Sequence, residues 1–69
     1  MSVVQKLQDF SKEVQLIVST QDKECRAGLA KRLIREIDAF VENTMPLNDY
    51  LAALRCRNDA TRIYAASLR

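Results

Sequence analysis

Hydrophobic residues recur at helical spacing along the whole chain, and the broadest such stretch runs from Cys25 to Val41. At about 100° per residue, one stripe on a helical wheel is formed by Cys25, Leu29, Leu33, Ile37, Phe40 and Val41. Three further side chains widen this stripe to roughly half of the circumference: Ala27, Ala30 and Ile34. A single neighbour covers a narrower stripe. The second helix, predicted over 21–43, should therefore contact two elements, from its own chain or from a second copy.

A first helix is predicted over 3–18, where apolar residues follow a strict heptad spacing. Its seam consists of Val3, Leu7, Phe10, Val14 and Ile17. This spacing suits nearly parallel or antiparallel packing on another helix, and we expect the first two helices to form an antiparallel hairpin. Leu16 points away from the seam. Two interpretations stay open for it, an isolated exposed residue or a contact with a second chain.

A third helix is predicted over 46–68, with Pro46 well suited to the first helical position. Its apolar face begins with Leu47, Tyr50, Leu51 and Leu54. The same face continues with the polar residues Arg57, Asn58 and Thr61, and then with Tyr64, Ala65 and Leu68. Two alternatives follow. Either one helix runs to the end of the chain with a polar layer in its seam, or the helix breaks at Asn58 and Asp59.

The length of 69 residues limits the chain to one domain, covering residues 1–69. A core of this size rarely supplies more than about 3–5 kcal/mol, so small folds depend on disulfides, metals or self-association. With no His and two Cys, a zinc site is not expected, nor is a cofactor. We expect cytoplasmic localisation with reduced thiols, because neither a signal peptide nor a membrane-spanning run is recognisable; a Cys25–Cys56 disulfide is the alternative. Of the three means of stabilising a small fold, self-association is the one that remains, so a helical homodimer is predicted.

An enzyme is not expected from this inventory of residues. The chain contains no His for acid–base chemistry and no Ser or Cys that is recognisably paired with a base. The only glycine, Gly28, cannot form a phosphate-binding loop by itself. Inside a helix this glycine costs about 0.5–1 kcal/mol relative to Ala. It is either tolerated there or permits the close approach of another helix.

The net charge of +2 is small, but the excess of basic residues lies in the last third of the chain. Arg55, Arg62 and Arg69 are spaced by seven residues, so a continuous helix would place them on one side about 10.5 Å apart. We predict that this arginine ridge, together with Tyr64, binds a partner, and that Leu29, Leu33, Ile37, Phe40 and Val41 form the core or a dimer contact. A solvated helix face is the simpler interpretation of the ridge.

Two ion-pair predictions concern the second helix. Arg32 and Glu36 have the i,i+4 spacing that allows them to pair. Asp38 and Glu42 lie near the C-terminal end of the predicted helix, where the helix dipole disfavours negative charge. We therefore expect basic groups from the last third of the chain to approach that end.

Two classes of binding protein fit these observations. The preferred one is a non-catalytic protein-binding module that inhibits or regulates a host protein. The alternative is a small nucleic-acid-binding protein that uses the arginine ridge. A helix-turn-helix reader fits less well, because the break near Pro46 lacks the usual glycine turn.

In size and helical build, the whole chain resembles the small all-helical proteins with which phages disable host regulators, including the anti-quorum-sensing anti-activators. The resemblance is based on length, helix pattern and the lack of catalytic residues, and no residue motif is shared. It implies a helical dimer that docks on a bacterial transcription factor, typically on its DNA-binding domain. Some proteins of this kind bind a second host protein, such as a pilus-assembly ATPase.

Overall fold

Three helices make up the regular structure of the residues described by a computed structural model, which are residues 3–41 and 45–69. They are α1 (Val3–Ser19), α2 (Lys23–Phe40) and α3 (Leu47–Ser67). The predicted all-α class, a helical hairpin extended by a third helix, is confirmed. Helix α3 is continuous through Asn58 and Asp59, as the first of the two alternatives requires.

The ends of α2 differ from the prediction at both sides. The helix begins two residues later than predicted, because the Asp22 carboxylate caps it by accepting a hydrogen bond from the backbone N–H of Glu24 at 3.1 Å. It ends at Phe40, and Val41 already has an extended ψ of 126°. The predicted last residues of the helix, 42 and 43, lie outside the described residues. Pro46 is the N-cap of α3 and not its first helical residue.

Side-chain contacts fix the direction of each helix. The Phe10 and Phe40 rings meet edge to face with centroids 5.4 Å apart, so the middle of α1 lies beside the end of α2, while Leu16 and Ile17 near the end of α1 lie beside Leu29. Helix α3 runs antiparallel to α2, because Asp38 pairs with Arg57 and Arg26 bonds to Ser67. Each helix therefore runs antiparallel to the one before it. Helix α2 therefore contacts both other helices of its own chain, which explains why its apolar stripe is so wide.

The core lies where the three helices meet. Its buried apolar side chains are Phe10, Ile17, Ala30, Leu33, Ile37, Ala53 and Ala60. Leu33 and Ile37 are buried as predicted, and Phe40 and Val41 are half-buried against this cluster. Leu29 is 37% exposed, so it is not a core residue, and Cys25 is also exposed. On this side α1 and α3 leave the stripe exposed, so its contact with a second copy stays a prediction.

Helix α3 packs with a different face from the one predicted. Its buried positions are Ala53, Ala60 and Ser67, spaced by seven residues, whereas Leu47 and Leu51 are exposed. Small side chains let two helix backbones approach closely, so alanines rather than leucines occupy the contact. Ser67 is satisfied where it is buried: its hydroxyl donates to the Ile63 carbonyl at 2.7 Å and accepts from Arg26 Nε at 3.0 Å.

Gly28 has no structural role within its own chain. A Cβ atom built on it would meet nothing within 4 Å. The prediction of a close helix approach at Gly28 is therefore wrong for the helices of this chain, and only an approach by a second copy stays a prediction.

Candidate protein-binding surface

The solvent-facing side of α3 carries a row of residues with alternating spacings of four and three. We call this row the outer seam; it consists of Leu47, Leu51, Leu54, Asn58, Thr61 and Ala65 on the helix and of the C-cap residue Leu68. Leu47 is 69% exposed and Leu51 is 46% exposed, and of the seven positions only Leu54 is half-buried. Three large apolar side chains of one face, Leu47, Leu51 and Leu68, are thus directed to solvent.

Arg55 and Arg62 flank the outer seam on one side. Both are exposed, and neither makes a hydrogen bond or ion pair within the described ranges. Their seven-residue spacing on α3 separates them by about 10.5 Å along the helix axis. Arg69 lies beyond the last helical residue, so the predicted ridge contains two arginines on the helix and a third after its end. Tyr64 is half-buried against the core and does not join them.

The ion pairs among residues 3–41 and 45–69 involve neither of these two arginines. Arg32 pairs with Glu36 at 3.2 Å, as predicted. Arg57 binds Asp38 through two hydrogen bonds of 2.7 and 3.5 Å, which confirms that a basic group approaches the end of α2. The hydrogen bond that Arg57 donates to Asp38 raises the pKa of Arg57, and the negative charge of Asp38 raises it further. Asp59 is close to Arg55 and Arg62 in sequence but forms no ion pair with either.

A second exposed feature is a groove of about 230 Å³ between α1 and α2. Its lining consists of Glu13, Leu16, Ile17, Leu29, Arg32, Leu33 and Glu36. Leu16 is 66% exposed at its edge. Burial raises the pKa of Glu13, and the negative charge of Glu36 raises it further, while Arg32 and Lys6 lower it. The apolar spacing of α1 gave no sign of this groove, although the off-seam position of Leu16 did.

Two free thiols lie among the described residues. Cys25 is an exposed free thiol and Cys56 a half-buried one, and burial, with a contribution from Asp59, raises the pKa of the Cys56 thiol. Within residues 3–41 and 45–69, no group of three or more His, Cys, Asp or Glu side chains could hold a metal ion. None of the helices in these ranges is long and apolar enough to cross a membrane.

The surface of α3 is therefore the most distinctive candidate site, and it contains exposed leucines beside two guanidinium groups that form no ion pair with the described residues. Comparison with known proteins assigns no family to the chain: no protein-family model, curated protein or solved structure matches it.

Proposed function

We propose that this protein is a non-catalytic protein-binding module that inhibits or regulates a host protein, such as a transcriptional activator, in the host cytoplasm. The observation that supports this proposal is the outer seam. Leu47, Leu51 and Leu68 are exposed on one side of α3, beside Arg55 and Arg62. Leu47 and Leu51 are neighbours one turn apart; exposed apolar neighbours of this kind are typical of protein interfaces, and Arg is enriched there.

The composition of this face also favours a protein over a nucleic acid. Arginines can bind phosphates, but Leu47 and Leu51 would gain nothing from a phosphate backbone, whereas a protein surface would remove them from water. Nucleic-acid binding and protein binding differ in how strongly their affinity depends on salt concentration. Binding to duplex DNA or RNA through phosphates should weaken steeply between about 50 and 200 mM salt, while an apolar protein interface should change only modestly.

The binding experiment compares two substitutions of exposed apolar residues by Glu. The tagged chain and its variants are used to capture proteins from host lysate, and the captured proteins are identified by mass spectrometry. Leu51→Glu alters the outer seam, and Val4→Glu is the matched control on α1, since Val4 is 58% exposed. A host protein that wild type and Val4→Glu retain, and that Leu51→Glu loses, supports the proposal. If no host protein is captured specifically, the proposed function is wrong.

We further propose that the protein is a homodimer formed through the α1–α2 face. The groove on this face presents Leu16 and Leu29. Arg32 and Glu36 lie one turn apart, so a two-fold axis between them would bring each arginine near the carboxylate of the other copy. This arrangement would leave α3 free for the host protein.

Sedimentation equilibrium at micromolar concentration tests the dimer. We expect twice the chain mass of 7.9 kDa for wild type, and the mass of one chain for Leu16→Glu. A wild-type mass of 7.9 kDa would rule the dimer out. A dimer that Leu16→Glu leaves intact would move the interface to another face.

A further inference from the structure

The outer seam has the spacing of a coiled-coil repeat. Its steps of four and three residues place Leu47, Leu54, Thr61 and Leu68 at d positions and Leu51, Asn58 and Ala65 at a positions. Within the chain most of the seam is uncovered, because α1 and α2 pack on α3 around Ala53 and Ala60; Leu54 is half-buried, and α2 contacts Arg57 beside the seam. A heptad seam of this kind is suited to a second, nearly aligned helix.

The residues that flank the seam select which helix can bind. In a coiled coil, the e and g positions lie beside the seam and pair across the interface. The e positions of the outer seam after Asn48 are Arg55, Arg62 and Arg69, and the g positions are Tyr50, Arg57 and Tyr64. Neither set contains an acid. Arg57 is already bound to Asp38, whereas Arg55 and Arg62 make no ion pair in the described part of the chain.

A second copy of α3 therefore does not complement the charges that flank the outer seam. An antiparallel pair of α3 helices would place arginines at e opposite arginines at e, and a parallel pair would place them opposite Tyr50, Arg57 and Tyr64. Antiparallel pairing thus places like charges opposite each other, and parallel pairing offers the arginines no carboxylate. Such charge patterns disfavour self-pairing while leaving the seam open to a complementary partner.

We propose that the outer seam binds an amphipathic α-helix of another protein, with apolar residues along its own seam and Asp or Glu at the flanking positions. This inference rests on the proposed function, since it specifies the part of the host protein that docks. Asn58 lies in the middle of the seam, where a polar residue at an a position fixes the register of a coiled coil. The Thr61 hydroxyl donates to the Arg57 carbonyl at 2.8 Å. It is therefore hydrogen-bonded within α3 and needs no polar group from the partner helix.

The test uses two synthetic helical peptides of three heptads each, both with Leu along the seam. One peptide has Glu at all flanking positions and the other has Lys, and their binding to the full chain is measured by fluorescence anisotropy. We expect the Glu peptide to bind about tenfold more tightly than the Lys peptide, because two exposed arginines are attracted in one case and repelled in the other. Leu51→Asp should abolish the binding of both peptides.

Charge reversal gives the sharpest control. The double variant Arg55→Glu/Arg62→Glu should prefer the Lys peptide. Lys31→Glu/Arg35→Glu, with the same change in net charge on exposed positions of α2, should still prefer the Glu peptide. Equal binding of the two peptides, binding that Leu51→Asp leaves intact, or self-association of the chain that depends on Leu51 would overturn the proposal.

These outcomes are distinct from failure of the proposed function. If a host protein is captured equally well by wild type and by the Arg55→Glu/Arg62→Glu variant, the chain binds protein through another surface, and the inference about the seam is wrong. If the Glu peptide binds as expected but no host protein is captured, the chemistry of the seam is supported and the proposed function is not.

Discussion

Replacing Ala60 with Leu tests the close contact between α2 and α3. Ala60 is fully buried, and it lies between Ala53 and Ser67 in the row of small residues that faces the core. An added isobutyl group has no space there, so it must push the helices apart or force neighbouring side chains out of their preferred rotamers. Overpacking of this kind costs about 1–3 kcal/mol, occasionally more.

That cost is large for a domain of this size. If the fold is stable by about 3–5 kcal/mol, the substitution removes between a fifth and the whole of its stability. With a urea dependence of about 1 kcal/mol per molar for a small domain, the unfolding midpoint should fall by about 1–3 M. Urea titration followed by circular dichroism at 222 nm measures this shift.

Ala66→Leu is the matched control, because Ala66 is exposed on the same helix and the change in helix propensity is the same. We expect its unfolding midpoint to stay close to that of wild type. If Ala60→Leu unfolded within about 0.5 kcal/mol of Ala66→Leu, the assignment of the small-residue face to the core would be refuted.

Three further predictions concern α1 and α2. Gly28→Ala should raise the free energy of unfolding by about 0.5–1 kcal/mol in thermal melts, since no atom of residues 3–41 or 45–69 lies within 4 Å of the new methyl group; a loss of stability would contradict this. Leu33→Asp should abolish the far-UV helical signal, because it leaves an unpaired charge in the core, and wild-type helicity in this variant would show that the core is misassigned. Glu13→Gln should be more stable than wild type at pH 7. The pKa of Glu13 is raised by folding, so protonation favours the folded state, and the advantage of the variant should disappear as the pH falls below about 4.5.

The sequence was sufficient to predict the helices because its apolar spacing and its breaks agree. The heptad row of α1 and the break before Pro46 both appear in the structure, and α3 is continuous as one of the two alternatives required. The ends of α2 were less accurate. Asp22 acts as the N-cap through its side chain, a choice that depends on which of several neighbouring polar residues reaches a free backbone N–H.

The orientation of α3 could not be obtained from hydrophobicity. Helical spacing assigns the largest apolar residues to the buried face, so Leu47 and Leu51 were predicted to face the core. The structure buries Ala53 and Ala60 instead, because helix packing there depends on how closely two backbones approach. The sequence predicted Arg55 and Arg62 as partner-binding residues, but it did not predict that the leucines beside them are exposed, so the seam that these arginines flank was missed.

The salt bridge between Arg57 and Asp38 shows which part of the charge pattern was predictable. Acids near the end of α2 oppose the helix dipole, and this alone indicated that a basic group from α3 would approach. Which arginine would do so depended on the rotation of α3. The interaction between Arg26 and Ser67 gave no signal at all in the sequence, because it joins residues 41 positions apart.

Arg62→Glu provides the most direct test of the central claim, which is that the outer seam and its arginines bind a partner but do not hold the fold together. The measurement is the affinity for the captured host protein, made on the same preparation as the unfolding midpoint. We expect binding to weaken tenfold or more, because a repulsive charge is placed beside the seam, while stability stays within about 0.5 kcal/mol of wild type. Unchanged affinity, or binding lost together with the fold, would contradict the claim.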